Sequence, residues 1–125
     1  MDIRTVAGKR ILVAEDETLI AMVLEDMLTE LGFELACSAP SLSKAMDFVG
    51  TSNPIDAAIL DIELNDEQSW PIADALMKRQ VPFAFSTGHG RDAEVDPRFA
   101  NAPILEKPFD MAALGDVLAQ LFGGR

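Results

Sequence analysis

Two apolar runs in this chain end in acids: residues 55–60 lead into Asp61, and Arg10–Ala14 leads into Glu15-Asp16-Glu17. Short uninterrupted apolar runs are the pattern of strands buried on both faces, as in a parallel sheet. Open α/β sheets bind ligands in the crevice outside the carboxyl ends of their strands, so acids recurring there would collect on one side of the molecule. Carboxylates in one crevice suit a hard divalent cation, which takes oxygen ligands, and through it a phosphoryl group. Two further strand ends add complementary groups: Thr87 follows the apolar run 81–86, and Lys107-Pro108 follows the short run 103–106.

Residues so far apart in sequence need a scaffold that aligns strand ends. A helix follows the first acids, with Ile20, Val23, Leu24, Met27, Leu28 and Leu31 on one stripe and Gly32 in the stop position. Residues 33–39 form the second strand. Ser41 is an N-cap for a helix with Leu42, Ala45, Met46 and Val49 at i, i+3, i+4 and i+7, and Gly50 ends it. After the Asn53-Pro54 turn and the third strand comes a polar loop, Asn65-Asp66-Glu67-Gln68. Ser69 then caps a third helix with Trp70 and Pro71 in its first turn. The final helix starts near Asp110, with Met111, Leu114, Val117, Leu118 and Leu121 facing inward. Between the last two strands, Gly88, Gly90 and Pro97 argue against a firm helix. Only residues 92–95 are helix-compatible, and the flexible part of the protein is expected at 87–102. Strands alternating with helices predict a parallel sheet covered on both faces, because parallel neighbours need crossover connections.

The 125 residues, 49% of them hydrophobic, are expected to form one domain over 10–122, with a loose lead at 1–9, a tail at 123–125 and no room for a second folded unit. Output is then expected to lie on another protein. A net charge of −11 without any basic stripe argues against nucleic acid as a partner. No signal-peptide pattern and no apolar stretch near the roughly 20 residues of a membrane span occur, so a cytoplasmic protein without membrane contact is expected. The single Cys37 excludes an internal disulfide and reads as a small buried hydrophobe. His89, between glycines, reads as an exposed idle side chain. Trp70, Leu76 and Met77 read as packing of the third helix.

Taken one at a time, the site residues have ordinary readings. Glu15 to Glu17 can serve a helix N-terminus, Asp61 and Thr87 can end strands in turns, and Lys107 can be a solvated residue before a proline. Together, in order, at successive strand ends, they carry a resemblance. Through ILVAEDE, AAILDIEL, FSTGHG and ILEKPF, residues 10–122 resemble a response-regulator receiver domain of two-component signalling. The resemblance implies a flavodoxin-like (CheY-like) three-layer α/β sandwich, its five-stranded parallel sheet in the order 2-1-3-4-5. It implies that Asp61 is the phosphoacceptor and that Glu15, Asp16, Asp61 and the backbone carbonyl of Glu63 surround Mg2+, with Mn2+ or Ca2+ as substitutes. Thr87 would bond a phosphoryl oxygen, Lys107 would pair with the phosphoryl group, and Lys107-Pro108 would be cis. The donor would be a sensor histidine kinase or histidine phosphotransfer protein, docking near Met22, Glu25 and Asp110, with a downstream protein as a further partner. Such a chain is a phosphoacceptor and not an enzyme with a separate substrate.

Three departures from the family pattern stand out. Ile104 occupies the position, three residues before Lys107, where most receivers carry a switch aromatic. Glu15 replaces the commoner Asp, and the Pro-Gly turn after the phosphoacceptor is replaced by Asn65 to Gln68. With Phe85-Ser86-Thr87-Gly88, these features look like the FAT GUY class of single-domain receivers. The switch is therefore expected to be an ordering of 87–102 through Thr87 in place of a ring rotation. Two other functions compete: a phosphorylation-independent adaptor with this fold, and a Mg2+-dependent aspartyl-phosphate phosphatase. In the latter Glu63 would stand where a general acid is usual, but no cap segment is present.

Overall fold

A computed structural model describes residues 7–88 and 94–123. Three strands, β1 (Arg10–Ala14), β3 (Ala57–Asp61) and β6 (Phe83–Thr87), are buried almost throughout and form the sheet centre. Val, Ile, Leu, Phe and Ala on both faces leave such strands no stable position at an edge. The half-exposed β2 (Glu34–Ala39) and the short β7 (Ile104–Glu106) flank them. β4 (Glu63–Leu64) and β5 (Glu67–Gln68) form a separate hairpin after β3, so the main sheet runs β2-β1-β3-β6-β7, parallel throughout. This is the expected order 2-1-3-4-5 and the expected flavodoxin-like architecture.

The strand period of two assigns the faces. Ile11, Val13, Ala57 and Ile59 pack against α1 (Thr18–Glu30) and α4 (Met111–Gly123) through Leu24, Leu28, Leu114 and Leu118. Leu12, Ala58 and Leu60 pack against α2 (Leu42–Val49) and α3 (Trp70–Lys78) through Ala45, Val49, Ile72 and Leu76. Ser41 caps α2, its Oγ accepting from the Lys44 N–H at 3.2 Å. After α1, Gly32 turns the chain at φ +92°, a conformation that needs no Cβ. None of the described helices is long and apolar enough to cross a membrane.

Several expectations need correction. The polar stretch after Asp61 is a hairpin, β4 (Glu63–Leu64) and β5 (Glu67–Gln68). Asn65 and Asp66 both take positive φ, 51° and 67°, as a two-residue turn between twisted strands requires. Strand β6 starts two residues later than expected, because Pro82 has no N–H for the ladder and Val81 N–H bonds back to the Leu76 carbonyl of α3. Thr87 pairs with Glu106 and so belongs to the strand rather than following it. Ser69 precedes α3, but its buried hydroxyl makes no cap bond and has no hydrogen-bond partner among the described residues. Cys37 is half-buried in β2 rather than fully buried, and burial raises its thiol pKa against an opposing pull from Lys44. Within 87–102 the described part contains a 3-10 turn at Pro97–Phe99. His89, Gly90 and residues 92–93 of the 92–95 segment lie outside the described residues. Trp70 packs edge-on against Phe85 at 5.3 Å and lies tilted against Phe99 at 6.0 Å, as expected of a packing residue.

Candidate functional site

The chain leaves β1 toward β2 on one side and leaves β3 toward β6 on the other, so the strand order reverses between β1 and β3. Loops diverging there open a crevice at the strands' carboxyl ends. Register sets which residues meet in it. Ala14 pairs with Leu60, so the next residues, Glu15 and Asp61, stand side by side. Asp61 pairs with Ser86 and Thr87 with Glu106, which brings Thr87 and Lys107 to the same level. The alternation that places Ile11, Val13, Ala57, Ile59 and Leu105 toward α1 and α4 continues to Glu15, Asp61 and Lys107.

These three side chains are in contact. Lys107 Nζ lies 2.8 Å from Glu15 Oε1 and 3.1 Å from Asp61 Oδ2. The Glu17 backbone N–H donates to the second Glu15 oxygen at 3.0 Å, so both oxygens of Glu15 are engaged. Asp16, on the opposite side of the strand, accepts from the Asn65 backbone N–H at 2.8 Å. The cradle is held from below by backbone bonds from Glu15 N–H to the Ala39 carbonyl and from Lys107 N–H to the Thr87 carbonyl, at 3.0 and 2.8 Å. The Lys107-Pro108 bond is cis, as the resemblance implies. The cavity above has a volume of about 630 Å3. Asp16, Asp61, Glu63, Thr87 and Lys107 line it, and so do Asp66, Gln68 and Glu94, which were not expected at the site. Asn65-Asp66, a pair that tolerates positive φ, was the available signal for the hairpin that contributes Asp66 and Gln68.

Burial dominates the electrostatics. Asp61 is 9% exposed, and desolvation, then the neighbouring Glu15, push its pKa from 3.8 up to about 7, against the pull of Lys107. Burial disfavours the charged Lys107 amine, yet its contacts with Glu15 and Asp61 outweigh that and hold its pKa above the ordinary value. An excess of negative charge relieved by one lysine is a site prepared for further positive charge. One carboxylate oxygen from each of Glu15, Asp16 and Asp61 lies within 4.8 Å of the others. Oxygens about 2.1 Å from an octahedral Mg2+ stand roughly 3–4 Å apart, so a small contraction would let this set surround one. The donor set is all oxygen and fits the cation.

Of the remaining expected residues, Thr87 is buried at the crevice floor, and Ile104 is half-buried against the aromatic cluster on the α3 face. Met22 and Asp110 are exposed, while Glu25 is half-buried and accepts from Ser38 Oγ at 2.7 Å. Asp110 also caps α4, accepting from the Ala113 N–H.

Known proteins share this fold. The solution structure of SdrG from Sphingomonas melonis Fr1 superposes with a TM-score of 0.81 at 42% identity, covering 98% of this chain and 99% of that one. The BeF3-activated conformation of SdrG from Pseudomonas melonis Fr1 gives a TM-score of 0.76 at 42% identity, over 92% and 97% of the two chains. The Phyllosphere-induced regulator PhyR of Methylorubrum extorquens is 31% identical over 112 residues, 88% of this chain and 42% of that protein. The chain spans about half the length of the curated relatives it matches. The model of the response regulator receiver domain matches residues 11–119. With the five-stranded parallel sheet and the acid, hydroxyl and lysine residues at its strand ends, the chain belongs to the response regulator receiver domain family.

Proposed function

We propose that Asp61 accepts a phosphoryl group from the phosphohistidine of a sensor kinase or histidine phosphotransfer protein. The observation that carries this reading is the Asp61 carboxylate at 3.1 Å from Lys107 Nζ, in one oxygen cluster with Glu15 and Asp16. An Asp61 oxygen forms the bond to phosphorus while the P–N bond to the donor imidazole breaks. Little covalent assistance is needed in such a transfer, and positioning plus charge neutralisation supply most of the rate. Lys107 moves its interaction from the Asp61 carboxylate to the incoming phosphoryl oxygens. Glu15 keeps the ammonium in place through its 2.8 Å contact. Thr87 donates its hydroxyl to a phosphoryl oxygen. Asp16, Asp61 and Glu15 would hold Mg2+, with the Glu63 carbonyl as a backbone ligand. The cation, when bound, neutralises charge on the phosphoryl oxygens and lowers the Asp61 pKa toward the ionised form that attacks.

The chain turns over its own aspartyl phosphate rather than a separate substrate, and signals by protein contact. Docking of the donor fits the face of α1 beside the site. Leu19, Met22 and Val23 there are 77%, 54% and 49% exposed, and Leu19 and Val23 line an apolar groove with Pro108 and Phe109. The BeF3-activated conformation of SdrG supports a phosphorylation-dependent reading. Intact-protein mass after incubation with Mg2+ and acetyl phosphate tests it. One added phosphoryl group on the wild type and none on Asp61→Asn is the expected result. No adduct with acetyl phosphate or with a phosphorylated kinase would leave the adaptor reading in its place.

A further inference from the structure

The hairpin β4–β5 replaces the turn that usually follows the phosphoacceptor, and one of its backbone groups bonds a carboxylate of the site. The Asn65 N–H points at Asp16 Oδ2 at 2.8 Å, across 49 residues of sequence. The hairpin that aims it is fixed on several sides. Leu64 is fully buried in the core on the α3 face, and the Ser69 N–H closes the base of the loop on the Ile62 carbonyl at 2.8 Å. Glu63 pairs with Gln68 and Leu64 with Glu67. The Asn65 side chain, in turn, donates through Nδ2 to the Pro40 carbonyl at 3.2 Å and ties the hairpin to the turn that follows β2. Asn65 adopts φ +51° here, a left-handed conformation that Asn and Gly accept and β-branched residues resist.

We infer that Asn65 is a positioning residue for the divalent cation: its backbone N–H holds one Asp16 oxygen, so that the carboxylate meets the metal already oriented with its second oxygen. This rests on the cation reading above. Asp16 and Glu15 differ in this respect. Glu15 has both oxygens committed, to Lys107 and to the Glu17 N–H. Among the described residues, the Asp16 carboxylate takes its hydrogen bond from Asn65. A charge-assisted bond to one oxygen leaves the lone pairs of the other for a ligand bond, and groups that orient metal ligands typically contribute 10–100-fold to metal affinity. The usual place to look for such a group is a side chain. Here it is a main-chain N–H delivered by a left-handed residue, so the backbone conformation at position 65 becomes the determinant.

The test is a calorimetric Mg2+ titration without phosphodonor on the wild type, Asn65→Val and Asn65→Gly. Metal-free thermal unfolding of each variant confirms the fold. Glycine keeps the left-handed backbone and the N–H but loses the bond to Pro40; valine resists the left-handed backbone and displaces the N–H. The expected result is Mg2+ affinity about 10-fold weaker in Asn65→Val and within about threefold of wild type in Asn65→Gly. If Asn65→Val does not fold, Asn65→Ala, strained at the same φ, takes its place in the comparison. Wild-type affinity in the strained variant overturns the inference. Equal losses in the strained and glycine variants also overturn it, by assigning the effect to the side-chain tie to Pro40. A wild type that takes up no Mg2+ removes the cation reading itself, an outcome distinct from the other two.

Discussion

Replacing Asp61 by Asn should stabilise the metal-free protein at neutral pH while abolishing phosphorylation. Asp61 is 9% exposed, beside Glu15, and its pKa rises from 3.8 in an ordinary setting to about 7 in the fold. A difference of one pH unit between the folded and unfolded pKa is worth about 1.4 kcal/mol, so the ionised group costs the fold at most about 4 kcal/mol above pH 7. Asn keeps the shape of the side chain and an oxygen for Lys107; the attraction of the 3.1 Å pair is already contained in that pKa, and relaxation of the site and its solvent around the ionised group takes up part of the ceiling. A net gain of about 2 kcal/mol remains, a rise in Tm of roughly 6–8 °C for a domain of this size. The pH dependence has a definite sign. The folded protein retains the Asp61 proton up to about pH 7, whereas the unfolded chain releases it near its ordinary value. Between those values the native state binds more protons. Wild-type stability from this group therefore falls as pH rises through that window and levels off above it. Asp61→Asn removes the effect, so the gap between variant and wild type should be small at pH 4.5 and widest at pH 7.5. Urea unfolding at both pH values in the presence of EDTA measures it. A variant no more stable than wild type at pH 7.5, or a gap that does not widen from pH 4.5, would refute the reasoning.

Mg2+ should raise the Tm of the wild type in a saturable, concentration-dependent way, because it binds the folded state, and Asp16→Asn should remove most of that rise; equal shifts in both proteins would place the cation elsewhere. Lys107→Ala leaves Glu15 and Asp61 facing each other without a cation and should lower metal-free stability at pH 7.5 by about 3 kcal/mol. The loss should shrink at pH 5, where Asp61 is protonated, and a pH-independent loss would point to packing instead. Phe99 is 3% exposed, with its ring about 6 Å from those of Trp70, Phe83 and Phe85. Phe99→Ala should cost about 3–4 kcal/mol by urea midpoint, and a loss under about 1 kcal/mol would show that this turn packs loosely on the core.

Much of this protein follows from its sequence, for reasons that differ element by element. The central strands β1, β3 and β6 are legible because both faces are buried, so apolar residues run without interruption. Helix α2 is legible because Ser41 and the spacing from Leu42 to Val49 state its start and its face locally. The hairpin β4–β5 is not legible in that way. Its strands have two residues each, too short for any side-chain period, and its order comes from Leu64 in the core and from bonds to distant segments. The start of β6 is displaced by the missing N–H of Pro82, a local fact whose consequence appears only once β3 and β6 are paired. At the site the residue types are determined locally. Glu15, Asp16, Asp61, Thr87 and Lys107 stand at strand ends because acids, hydroxyls and lysine interrupt apolar runs there. Their pairing is a tertiary decision. The parallel register sets Glu15 beside Asp61 and carries Lys107 across 46 residues to bridge them. Alternation sends Asp16 the other way, onto a backbone N–H that no side-chain pattern could announce. Proton affinity follows the same division. Sequence supplies the carboxylates, and only burial beside one another, with one ammonium shared between them, raises the Asp61 pKa to about 7.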